Sequence, residues 1–189
     1  MRLRIRPLTP SPWPALEALF GKSGASNGCW CMYWRIGPDY HKRSREKNKG
    51  AFRRIVKRGP PPGLLAFDGE RPIGWCQLTP RKDLSWLNRR QPLQAVDDAP
   101  VWAVSCLYIR RGYRRRGIMS ALIVEALKAA EGGNARALEA YPVDTALPGS
   151  TSNVFTGTAS TFRRLGFRTM ARRQPSRPIM CHALKGIGP

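Results

Sequence analysis

Hydrophobic and polar positions alternate or cluster along the chain in a way that marks out most of its elements. Arg2-Leu3-Arg4-Ile5-Arg6 alternates strictly, which predicts a half-buried strand. Trp13 to Phe20 reads as a short helix that Ser11 can cap. Residues 21–43 are irregular and aromatic. Arg45 to Arg58 carries Phe52, Ile55 and Val56 on one helical face and stops at Gly59. Pro60-Pro61-Pro62-Gly63 is a short loop. It leads into a hairpin, in which the apolar Leu64–Phe67 and Ile73–Leu78 flank the turn Asp68-Gly69-Glu70-Arg71. Residues 81–99 are polar and predict a long loop. Val101 to Ile109 is a buried strand. Ile118 to Ala130 is a helix with Met119, Leu122, Ile123, Ala126 and Ala130 on one stripe, ended by Gly132-Gly133. Ala137 to Val143 is another strand and Thr158 to Leu165 a short helix closed by Gly166. Phe167–Ala171 and Pro178–Leu184 are the last strands. This order, β-α-α-β-β-β-α-β-α-β-β, predicts an α/β sheet with antiparallel and parallel parts.

A length of 189 residues suits one domain spanning 1–189. An apolar fraction of 42% excludes wholesale disorder. No run approaches the roughly 18 apolar residues of a membrane span. Met1 to Gly21 lacks the apolar stretch and cleavage site of a signal peptide, so a cytoplasmic protein is expected. The five cysteines (Cys29, Cys31, Cys76, Cys106, Cys181) are scattered and odd in number, which fits free thiols. Cys29 and Cys31 have no second cysteine pair, and His41 and His182 are isolated, so no metal site is expected. The formal net charge of +21, with 25 Arg to 8 Lys, attracts anions: nucleic acid, a phosphate-bearing cofactor or an acidic substrate.

One segment concentrates that charge beside a glycine. The strand Leu107-Tyr108-Ile109 runs into Arg110-Arg111-Gly112-Tyr113-Arg114-Arg115-Arg116-Gly117, and the turn opens the helix Ile118-Met119-Ser120-Ala121-Leu122. The first N–H groups of a helix lack internal partners and carry about half a positive charge, so such a turn can hold a phosphate or diphosphate. Arg114 and Arg116 can add charge-assisted bonds at its rim. Neither a P-loop nor a Gly-x-Gly-x-x-Gly fingerprint is present.

This strand, turn and helix resemble the GNAT acetyltransferase superfamily, whose main motif is Arg/Gln-x-x-Gly-x-Gly/Ala. Arg114-Arg115-Arg116-Gly117-Ile118-Met119 matches its first and fourth positions, and Met119 departs from its sixth. Arg2–Thr9 is similar to the family's opening strand, residues 64–78 to its central hairpin, and Phe162-Arg163-Arg164-Leu165-Gly166-Phe167 to its late helix. The resemblance implies an α+β GNAT fold. That is a single mixed, mostly antiparallel twisted sheet flanked by helices on both faces, with a splayed pair of parallel central strands at the cofactor site. It implies an N-acetyltransferase that takes acetyl-CoA as donor and passes the acetyl group directly to a primary amine. The backbone of Arg115, Arg116, Gly117, Ile118, Met119 and Ser120 would hold the diphosphate. Leu107, Tyr108 and Ile109 would lie along the pantetheine arm, with Asn153 and Phe162 also at the cofactor.

The family's usual late-helix tyrosine corresponds here to Phe162, which donates no proton, and its frequent strand glutamate falls near Cys106. Tyr141, on the strand expected to splay from the motif strand, is the first candidate for proton handling, with Cys106, Asp144 or an ordered water as alternatives. Trp30, Tyr33, Trp34 and Arg35 are expected at the acceptor, as an apolar wall and an anion grip. Residues 21–58 carry only Asp39 and Glu46 against many Lys and Arg, which disfavours a polycationic acceptor. The expected acceptor is a small molecule, a peptide amine or an RNA-linked aminoacyl group, and the enzyme a monomer or homodimer. A basic nucleic-acid-binding protein on the same scaffold is the alternative.

Overall fold

The computed structural model describes residues 1–147 and 155–184. One seven-stranded sheet organises the chain, in the order β1-β2-β3-β4-β5-β7-β6. Its strands are β1 (Leu3–Pro7), β2 (Gly63–Asp68), β3 (Arg71–Pro80), β4 (Val101–Ile109), β5 (Ala137–Ala140), β6 (Arg168–Ala171) and β7 (Ile179–Ala183). All neighbours pair antiparallel except β4 and β5, which are parallel. This is the α+β architecture that the resemblance implied.

Alternation along β2 shows how the helices come to cover both faces. Leu64 and Ala66 face one core with Leu122, Ile123, Ala126 and Ala130 of α5 (Ile118–Gly132). Leu65 and Phe67 face another with Leu16 and Phe20 of α1 (Trp13–Phe20) and Phe52 and Val56 of α3 (Arg45–Arg58). Each fully buried Leu or Phe contributes about 1.5–3 kcal/mol of transfer free energy, so both layers are needed to hold the sheet. A third cluster joins Trp34, Leu87, Leu93 and Tyr141 to Ala103 of β4 and Ile179 of β7.

Several boundaries differ from the sequence reading. Ser11 does not cap α1; Pro12 holds that position without a side-chain bond, because prolines at the first turn need no donor there. The irregular stretch 21–43 contains one α-helical turn, α2 (Tyr33–Ile36), between two 3-10 segments (Gly21–Ser23 and Gly37–Lys42), and the expected loop 81–99 contains α4 (Ser85–Arg89). Tertiary packing of Trp34 and Leu87 fixes both turns, which are too short for a periodic signal. α6 spans Ala159–Arg164. β5 stops at Ala140 rather than Val143, since the chain there leaves β4 and Val143 pairs with Thr158 instead.

Candidate functional site

The β4–β5 divergence builds the site. The two strands pair only from Val101 to Val104, while β4 runs on to Ile109. Beyond Val104 the Leu107 N–H donates to the Phe155 carbonyl, while Gly157 and Thr158 meet Val143 past the end of β5. A ligand running along β4 therefore meets an occupied donor at Leu107 and must displace that bond.

At the end of β4 the turn is fixed from outside. The Arg110 N–H donates to Ile73, and its guanidinium donates to the carbonyls of Pro72 and Ala18. A 3-10 turn over 111–113 follows, then two left-handed residues, Arg115 (φ +61°) and Gly117 (φ +77°). Gly117 caps α5, and a Cβ built on it would meet nothing within 4 Å, so the backbone stands open there. No acidic side chain occupies the first turn of α5. The result is a cleft of about 610 Å³ between the turn, β4 and α6.

Leu107 to Ile109 line this cleft, as do Arg114, Arg115 and Gly117 to Ser120. Arg116 is instead exposed, with its guanidinium 5.5 Å from the Tyr113 ring centre. Phe162 is fully buried against Phe167 beneath the cleft rather than in its wall, because its helix turns the apolar side to the core. Thr161 and Arg164 of the same helix line the cleft in its place. Asn153 lies outside the described residues.

A second cavity, of about 440 Å³, opens beside the first. The two adjoin at Phe155, which lines both, and along β4, where Cys106 faces one and Leu107 the other. Tyr33 and Trp34 line the second cavity, together with Tyr40, Cys29 and Cys31. Trp30 does not: its left-handed backbone (φ +47°) sends the ring between Trp13 and Phe20, at 6.0 and 5.5 Å, with the Lys49 ammonium above it. Arg35 is also outside the lining, since its Nη1 donates to the Asp83 carbonyl. The cations that line the cavity are Arg90 and Arg177. Arg177 donates to the Tyr141 carbonyl and to Thr156 Oγ1, and burial lowers its pKa from the usual value. Among the described residues no Asp or Glu lines this cavity.

A register shift shapes the cavity floor. Gln77 pairs with Cys106 and Leu78 with Val104, so Ser105 is an extra residue on β4. A bulge of this kind breaks the strict alternation of faces. Consecutive Ser105 and Cys106 both line the cavity, beside Gln77. Burial pushes the Cys29 thiol up to about 11 and the Cys31 thiol well above its ordinary value, so both stay protonated at neutral pH.

Tyr141 stands apart from the cavity lining. Its hydroxyl accepts from Arg81 Nη1 at 2.7 Å, inside a buried cluster in which Arg81 also pairs with Glu139 and donates to the Leu93 carbonyl. Burial raises the Tyr141 pKa well above the usual range, with the Glu139 carboxylate adding to it. Burial also raises Glu139, against the pull of Arg81. Asp144 binds Arg163 and Arg172 at 2.8 and 2.9 Å and likewise lies off the cavity lining. Gln77, Ser105, Arg90 and Arg177 come from four separate segments, which no local motif unites. The available signal is a polar residue inside an apolar strand: Gln77 within Ile73–Leu78, and Ser105 within Val101–Ile109.

Among the described residues no group of three or more His, Cys, Asp or Glu is placed to hold a metal ion, and no helix is long and apolar enough to cross a membrane. Many solved structures share the fold. PaiA N-acetyltransferase from Thermoplasma acidophilum, in complex with coenzyme A, is 18% identical with a TM-score of 0.54, covering 97% of this chain and 99% of its own. A histone acetyltransferase HPA2-related acetyltransferase from Corynebacterium glutamicum is 18% identical at 0.58, covering 100% and 99%. An N-acetyltransferase from Staphylococcus aureus is 13% identical at 0.58, covering 98% and 100%. No curated protein matches the chain. The model of the acetyltransferase (GNAT) family matches residues 28–150, a span that takes in the aromatic wall of the second cavity, the bulged strand and the basic turn. Covering more than half of the chain, that match makes the protein a member of the GNAT family, an acetyltransferase that uses an acyl-CoA.

Proposed function

We propose that the enzyme transfers an acetyl group from acetyl-CoA to the primary amine of a neutral or anionic acceptor, such as an amino-acid derivative or a peptide. The observation that carries this reading is the junction of the two cavities along Cys106–Leu107: a basic cleft on one side, an aromatic and carboxylate-free cavity on the other. The cleft fits the cofactor on its own features. Gly117 leaves the α5 terminus open to close approach, and Arg114, Arg115 and Arg164 supply positive charge around it.

When bound, acetyl-CoA supplies a thioester whose carbonyl carbon bonds to the acceptor nitrogen as the C–S bond breaks and its electron pair leaves on sulfur. The chain's residues position the two partners and move protons. The α5 N-terminus and the Arg114–Gly117 turn anchor the diphosphate end. Cys106, at the junction, is the thiol best placed to give a proton to the departing thiolate and to recover one from the acceptor nitrogen, so that the proton lost by the amine ends on the CoA sulfur. Cys29 and Cys31, held protonated by burial, are poor nucleophiles, which supports direct transfer without a covalent enzyme intermediate. Tyr141 acts as a support for the cavity wall through Arg81.

The test incubates the protein with acetyl-CoA and a panel of amines and detects acetylated products by mass spectrometry. Acetylation of amino-acid derivatives or peptides is expected. Spermidine or an aminoglycoside acetylated better than every such compound overturns the acceptor class, because a polycation would enter a cavity lined by Arg90 and Arg177.

A further inference from the structure

Unpartnered buried polar atoms gather at one place in this protein. Eleven buried side-chain nitrogen and oxygen atoms among the described residues have no hydrogen-bond partner, and five of them belong to residues lining the second cavity: Gln77 Oε1 and Nε2, Ser105 Oγ, Gln174 Oε1 and Arg90 Nε. Gln77 and Ser105 are 0% exposed. Native interiors satisfy nearly all such groups, and exceptions concentrated in a cavity mark groups that await a ligand.

Gln77 and Ser105 also share one origin. The register shift that inserts Ser105 into β4 lies directly opposite Gln77, so the bulge and the amide form one feature of the cavity floor, beside Cys106. A bulge in a buried central strand sacrifices ladder pairing. Here it brings a hydroxyl and a carboxamide into the same space.

The chemistry of these atoms selects their partner. A carboxamide both donates and accepts, and a hydroxyl does the same. A carboxylate would satisfy Gln77 Nε2 and Ser105 but leave Gln77 Oε1 unpaired. An alkyl chain would leave all three atoms unpaired. A short peptide offers both a donor and an acceptor: in an extended trans chain the first residue's amine N–H and its C=O lie on one edge and can satisfy Gln77 Oε1 and Nε2 together. The anionic end of such an acceptor has Arg90 and Arg177, and its apolar parts have Tyr33 and Trp34.

We propose that Gln77 and Ser105 form a specificity site that recognises a peptide group of the acceptor, so that the substrate class is an N-terminal α-amine of a short peptide. This rests on the acetyltransferase reading above. Sites built to hydrogen-bond a substrate reject analogues lacking the bonding group much more strongly than sites that merely enclose apolar bulk. The residues act on acceptor choice, leaving cofactor affinity to the Arg114–Ser120 turn.

The test compares two molecules of matched length and charge: glycylglycine, and δ-aminovalerate, in which two methylene groups replace the peptide group. Binding of each to the CoA-saturated protein is measured by calorimetry, after CoA binding itself has been titrated. The wild type should bind glycylglycine at least about tenfold more tightly than δ-aminovalerate. In Gln77→Leu that ratio should fall to near one while CoA binding is unchanged, and Ser105→Ala should lower it in part. The retained CoA affinity shows that both variants are folded. Equal binding of the two molecules by the wild type, absence of binding by glycylglycine, or a ratio preserved in Gln77→Leu overturns the inference. A wild-type protein that binds no CoA overturns the acetyltransferase reading of the cleft, and this inference with it.

Discussion

Replacing Arg81 by Met removes the cation from the buried cluster that ties the end of β3 to β5 and to the cavity wall at Leu93. Arg81 and Glu139 are 6% and 3% exposed, so the change leaves a carboxylate in a site that water barely reaches. Breaking such a pair from one side costs about 3–5 kcal/mol. The cost has two parts. The Leu93 carbonyl and the Tyr141 hydroxyl each lose a donor, about 1–3 kcal/mol at any pH. The Glu139 carboxyl can escape its isolation by taking up a proton, which bounds the electrostatic part. From an ordinary value of 4.5, protonation at pH 7 costs about 3.4 kcal/mol and at pH 5 only about 0.7 kcal/mol. The sign follows from the raised folded-state pKa: the group's contribution is fully present below 4.5 and is lost as pH rises through the folded value, which lies higher in the variant than in the wild type. Thermal unfolding of both proteins at pH 5 and pH 7 reads the difference. With about 2–4 °C per kcal/mol for a chain of this size, Tm should fall by about 6–20 °C at pH 7, and by clearly less at pH 5. A decrease that is the same at both pH values, or below about 2 °C at pH 7, refutes the reasoning.

Gly117→Val forces a β-branched residue to φ +77°, costing about 1–2 kcal/mol and lowering Tm by about 2–8 °C; it should also abolish the stabilisation by acetyl-CoA, and a folded variant that keeps that shift contradicts the placement of the cleft. Cys106→Ala should lower kcat about a hundredfold with acetyl-CoA affinity intact if the thiol protonates the leaving group, and an unchanged kcat removes it from that role. Asp144 keeps a lowered pKa although burial alone would raise it, because Arg172 and Arg163 together outweigh burial. Its stabilisation is therefore present above the ordinary value of 3.8 and lost as pH falls through the folded value. Asp144→Asn should accordingly be less stable than wild type at pH 7 and equal to it in strong acid, as followed by denaturant unfolding; a gap that persists in acid contradicts this.

The strands and long helices were legible because their signals are local. The alternation of Arg2–Arg6, the apolar run Val101–Ile109 and the stripe of α5 each state a burial pattern that the sheet then satisfies. The basic turn was legible as well, since a strand, a left-handed glycine and a helix start occupy adjacent residues. The acceptor side was harder to read. Trp30, Tyr33, Trp34 and Arg35 stand within six positions of one another, yet Tyr33 and Trp34 face the cavity while Trp30 packs among core rings and Arg35 caps a carbonyl. Two left-handed residues, Trp30 and Cys31, followed by a single α-helical turn carry no period from which facing can be deduced. Tyr141 falls inside the strand expected over Ala137–Val143, but its hydroxyl is bound by Arg81, sixty positions earlier. Ser105 enters the cavity only because of a bulge, which depends on pairing between β3 and β4 rather than on either strand alone.

Thermal unfolding of the wild-type protein across a series of acetyl-CoA concentrations tests the central claim most directly. Micromolar binding at the Arg114–Ser120 turn predicts stabilisation of about 2.7–4.1 kcal/mol at millimolar acetyl-CoA, some hundred- to thousandfold above Kd. That corresponds to a rise in Tm of about 5–16 °C. A Tm that does not move at millimolar acetyl-CoA contradicts the account.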